Sequence, residues 1–124
     1  TDSLLNFRDT LIETEKYGFE KTRLEQIELG QNVRLLLESR GFNSVAEKPF
    51  QSPSVIVSYT DDPNIKNGKL FMQQGIQIAA GVPLECDEGA NFMTFRIGLF
   101  GLDKLHNIDR TVNNLKLALD KIYL

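Results

Sequence analysis

The chain has 124 residues and a formal net charge of −3, the size of one domain with one core, and its acids and bases are interspersed without the basic stripe that a nucleic-acid partner requires. Hydrophobic residues at 41% and charged residues at 25% make a globular composition, and no apolar run approaches the roughly 20 residues that span a bilayer. A lone cysteine, Cys86, and a lone histidine, His106, argue against an internal disulfide, a cysteine metal cluster and a histidine-based zinc site, so no metal and a reducing, cytoplasmic setting are expected.

The opening "TDSLLNFRDT" has neither the basic head nor the long apolar stretch of a signal peptide, and the missing initiator Met points to a trimmed chain or a fragment. From Asp2 to about Lys16, Leu4, Leu5, Phe7, Leu11 and Ile12 supply the apolar positions of a helix that Asp2 or Ser3 can cap. Tyr17-Gly18-Phe19 breaks it. A second helix is predicted from about Glu20 to Arg40, with Leu29, Val33, Leu36 and Leu37 on one stripe. Gly41 closes it, and Phe42 folds back as the apolar partner of a glycine cap.

The period then changes. A short strand is expected near Val45, and "SVIVSYT" (54–60), rich in β-branched residues, reads as a strand. Asp62-Pro63 reads as an N-cap followed by proline at the first helical position. It opens a helix through Ile65, Leu70, Phe71 and Met72 that stops near Gly75. "GIQIAAG" (75–81) reads as a short strand, followed by the loop "GVPLECDEGAN" and a strand over 93–99. In the final helix Ile108, Val112, Leu115, Leu119 and Ile122 line one face behind a capping Asn107. This order suits an α+β domain, a mostly antiparallel sheet with helices packed on one face.

The residues that carry chemistry lie in "MTFRIGLFG" (93–101). Alternation sends Met93, Phe95, Ile97 and Leu99 to one face, toward the helices, and Thr94, Arg96 and Gly98 to the other. Ser54 and Ser58 fit that second, open face. Arg96 is either a solvated arginine on a wet sheet face or a clamp, since a planar guanidinium matches a carboxylate two-to-two. Gly98 and Gly101 would keep side chains out of the approach and allow unusual backbone angles. Other groups offer less. Asp87 and Glu88 beside Cys86 argue against a reactive thiol, His106 reads as a surface or capping residue, Asp61 and Asp62 read as turn and cap, and 64–68 lacks phosphate-loop spacing.

"GIQIAAG", a loop of about a dozen residues, "FRIGLFG" and an amphipathic closing helix together resemble the end of class V aminotransferases. These are pyridoxal-phosphate enzymes of fold type I, and the alanine–glyoxylate and serine–pyruvate subgroup is the nearest, with 2-aminoethylphosphonate–pyruvate aminotransferases beside it. The resemblance runs from about residue 20 to the end and is specific around 75–101. It implies that residues 1–124 form a C-terminal small domain, with 1–18 an opening helix connecting from a large domain of the same protein. It further implies that Arg96 binds the substrate α-carboxylate, with Gly98 and Gly101 as supporting backbone positions. The implied reaction moves an amino group from an amino acid such as alanine or serine to a 2-oxo acid, glyoxylate or pyruvate, in a homodimer. Pyridoxal phosphate and its lysine would belong to the large domain, so no catalytic or cofactor-binding residue is expected in this chain, which alone should be inert. The alternative is a freestanding α+β module for small-molecule binding, regulation or oligomerisation, or a structural interaction domain.

Overall fold

Phe95 has no exposed surface and sits edge-on to Phe42, ring centroids 5.2 Å apart, with Phe71 at 5.7 Å. The core of this computed structural model, which describes residues 1–123, is built around that aromatic cluster. The elements in chain order are α1 (Asp2–Tyr17), α2 (Phe19–Ser39), a short 3-10 turn (Lys48–Phe50) and β1 (Val55–Tyr59). Then follow α3 (Pro63–Lys66), α4 (Lys69–Gln73), β2 (Ala79–Ala80), β3 (Thr94–Gly98), α5 (Leu102–His106) and α6 (Ile108–Ile122). The sheet is antiparallel with strand order β1-β3-β2. Ile56, Phe95, Ile97 and Leu99 pack against Leu29, Val33 and Leu37 of α2 and Leu115 and Leu119 of α6. The domain is therefore an α+β fold with an antiparallel sheet. Among the described residues no helix is long and apolar enough to cross a membrane.

The predicted glycine cap is present. Phe42 N–H donates to the Leu37 carbonyl and Gly41 N–H to that of Glu38, both at 3.0 Å, with Gly41 at φ 85° and Phe42 buried. This six-to-one, five-to-two pattern satisfies two carbonyls that the end of α2 would otherwise leave open. Asp62 caps α3 as expected, accepting from Asn64 N–H at 2.8 Å.

Several expectations need correction. The helix predicted from Asp62 to Gly75 is two helices, because Gly68 turns the chain at φ 78° and packs under Ile78, whose Cγ1 would lie 3.2 Å from an added Cβ. "GIQIAAG" pairs only at Ala79 and Ala80, since Ile76 and Ile78 turn partly into the core. The strand near Val45 is a single bridge, Ser44 to Ser58. Asn107 does not cap α6 with its side chain, which instead donates to the Asp103 carbonyl at 2.9 Å. Ser58 is buried on the helix-covered face, directly opposite Phe95, where a small residue leaves room for the ring. Ser54, four residues earlier, shares that face. Thr94 is buried too, because the chain at Gly81 lies against it too closely for any Cβ.

The irregular segment before β1 is held by α2. A Cβ on Gly30 would stand 2.6 Å from the Pro53 carbonyl oxygen and 2.8 Å from its Cα. One turn on, Arg34 donates to Ser44 Oγ at 2.9 Å and to the Ser52 carbonyl at 2.7 Å. Burial pushes its guanidinium below its ordinary value. Gln26 Nε2 donates to the Pro53 and Leu99 carbonyls, each at 3.1 Å. Gly30→Ala is expected to destabilise the chain by about 1–2 kcal/mol by overpacking, even though alanine favours a helix interior by about 1 kcal/mol. The obstructing atoms are backbone and cannot swing aside. A denaturant midpoint at or above that of the parent chain would contradict this close approach.

Candidate functional site

Arg96 lies on the face of β3 that no helix covers. Its register partners are Val57 on β1 and Ala79 on β2, and the same face carries Val55, Tyr59 and Gly98. The arginine is half-buried, and its Nε donates to the Ala80 carbonyl at 3.0 Å. That bond fixes the guanidinium plane and leaves both terminal Nη groups free to donate together.

The other arginines are occupied. Arg8 pairs with Asp9 at 2.8 Å, Arg23 with Glu20 at 2.6 Å, Arg110 with Asp103 at 2.6 Å, and Arg40 with Asp120. Arg34 is spread over hydroxyl and carbonyl oxygens. Among the described residues no carboxylate lies within ion-pair distance of Arg96. Its guanidinium therefore offers an end-on pair of donors on a surface that is otherwise largely apolar. A planar guanidinium with its Nη pair so placed matches the two oxygens of a carboxylate.

Gly98, two residues on, lies on the same face of β3. An added Cβ on Gly98 would stand 3.0 Å from Phe100 Cε2, so the space over Gly98 is filled by the ring of Phe100. Gly101 has φ 102°, in the region that favours glycine, and turns the chain from β3 into α5.

The loop between β2 and β3 is organised by one acid. Glu88 accepts from the backbone N–H groups of Leu84, Glu85 and Cys86 at 2.7, 2.9 and 2.8 Å. Glu85 and Asp87 both adopt positive φ, at 57° and 64°. The acids next to Cys86 thus shape the loop, and Cys86 itself is exposed. His106 ends α5 with its ring against Tyr17, centroids 4.1 Å apart, joining α5 to the end of α1.

Nothing among the described residues fits pyridoxal phosphate. Lys104 apart, every lysine is exposed, and Lys104 donates to the Phe100 carbonyl at 2.9 Å. The alternation of β3 suffices to find Arg96, but not its anchor, because the Ala80 carbonyl reaches it only through the pairing of two strands. Arg34 was also missed. Its signal was a glycine one turn earlier inside a helix, which marks a close packing partner.

The backbone donors, that of Cys86 foremost, hold Glu88 down at about 2 from an ordinary 4.5. With the folded value below the unfolded one, the contact is complete above about pH 4.5 and is lost as pH falls through about 2. The amide resonances of Leu84, Glu85 and Cys86 are expected to titrate together near pH 2, and Glu88→Gln should abolish that titration. A shared midpoint near 4.5 would show that the carboxylate does not hold the loop. Comparison of the chain with protein-family models and with curated proteins finds no match in either.

Proposed function

We propose that this chain is the part of a class V, pyridoxal-phosphate-dependent transaminase that binds the substrate's α-carboxylate. The observation that carries the reading is Arg96, an arginine on the central strand of a sheet, pinned by Ala80 and with no acid partner among the described residues. An end-on guanidinium grips both oxygens of a carboxylate and fixes the direction of the bond to the α-carbon, a contribution of orientation rather than of proton transfer. Val57 and Tyr59 on the same face provide an apolar border to the ion pair, which a covering domain would close off from water.

The cofactor supplies an electron sink when bound, and its residues are assigned to a large domain of the same protein, with the whole working as a homodimer on amino acid and 2-oxo acid substrates. Two features support a covering domain. The open sheet face presents Tyr59 at 43% exposure, and α1 leaves Leu4, Leu5, Phe7, Leu11 and Ile12 exposed with no buried residue at all.

In the whole protein that carries this chain, a visible absorption band from bound cofactor that bleaches with L-alanine is the expected signature. Arg96→Ala should weaken use of α-carboxylate donors by about 1.5–3 kcal/mol, the worth of a charged hydrogen-bonded pair. Arg96→Lys should recover little, since it loses both the fork and the Ala80 anchor. Unchanged kcat/KM for the amino acid donor in Arg96→Ala would remove the carboxylate role.

A further inference from the structure

The sheet opens on the side of β3 that faces β2. Leu99 N–H donates to the Ser54 carbonyl at 2.8 Å and Thr60 N–H to that of Met93 at 3.0 Å. These bonds set the phase of the β1–β3 ladder, so Thr94, Arg96 and Gly98 turn their backbone N–H and C=O toward β2. β2 begins at Ala79, opposite Arg96. Gln77, two residues earlier, would lie opposite Gly98, yet among the described residues no hydrogen bond joins the two. The backbone N–H and C=O of Gly98 therefore face a gap.

That gap is a cleft of about 260 Å³. Its apolar floor includes Val33, Ile78, Ile97, Leu99 and Leu115, and Asp103, Lys104 and Arg110 also line it. Arg110 is paired with Asp103, whereas among the described residues Lys104 meets only a backbone carbonyl. The three charged side chains thus leave one uncompensated positive charge beside an apolar floor and an open N–H. The volume lies just under the roughly 300 Å³ at which small-molecule sites usually begin, which restricts the occupant to a short chain. A neutral apolar molecule would leave the ammonium and the N–H unmet, and a dianion would exceed the available charge.

We infer that this cleft binds a short-chain aliphatic monocarboxylate, its tail on the floor and its carboxylate held at Lys104. The site is separate from that of Arg96, which does not line it, and does not rest on the transaminase reading.

The test is a titration of the ¹⁵N-labelled full chain with sodium hexanoate, with 1-hexanol in parallel, followed by amide shifts. Saturable shifts are expected at Gly98, Leu99 and the 76–78 segment. Hexanol should bind at least about tenfold more weakly, the worth of one charged hydrogen bond. Lys104→Gln, whose spectrum also reports its folding, should weaken hexanoate at least about fivefold, and Arg96→Ala should leave these shifts unchanged. Equal binding of hexanol and hexanoate, or no saturable shift at these amides, would overturn the inference. So would shifts confined to the surroundings of Arg96 and lost in Arg96→Ala, a result that would instead favour the carboxylate role of that arginine.

Discussion

A central strand has no free choice of faces. β3 pairs on both sides, and its side chains alternate, so burying Phe95 against Phe42 and Phe71 forces Arg96 to the opposite surface. A slip of one residue would drive a guanidinium into the aromatic cluster and put Phe95 in water, and both changes are costly. The core thereby fixes the register, and the register fixes the arginine. A side chain placed in this way needs only one further bond, from Nε to Ala80, to hold its plane. Rigid placement by a strand is what a group that must orient a ligand requires.

The segment between α2 and β1 shows how an irregular chain can be secured without regular structure. Its carbonyls at Ser52 and Pro53 are taken by Arg34 and Gln26, both projecting from α2. Gly30 lets the helix backbone come close enough for those side chains to reach. Arg34 is 7% exposed, and its burial is tolerable because several of its donors are bonded. The helix thus does two things at once, giving Leu29, Val33 and Leu37 to the core and giving donors to the strand that follows.

What the sequence revealed, and what it concealed, follows from the range of the forces involved. The cap at Gly41 and Phe42, the alternation of 93–99 and the stripe of α6 are local patterns, and all three could be read from neighbouring residues. The break at Gly68 could not, because it depends on Ile78 packing from the next segment. Ser58 was misplaced for a related reason. "VIVSY" is apolar on both parities, so only the polarity of serine suggested a face, while the ring of Phe95 across the ladder decided it. At the candidate site the arginine and its face were legible. The Ala80 anchor was not, nor was the gap beside Gly98, since each arises at an end of β2 and those ends are set by tertiary packing.

The first helix stands apart from this economy. α1 contributes no buried side chain, and its closing Gly18, at φ 112°, leads straight into α2. Sixteen residues held mainly by their own hydrogen bonds are near the limit of independent helicity, roughly 12–15 residues in water. The chain should therefore unfold in two steps of unequal strength, α1 first. The first should absorb little heat with little change in heat capacity, since it exposes almost no new apolar surface. Its row of leucines and phenylalanine then governs how the protein behaves toward other surfaces, from chromatography resins to neighbouring molecules.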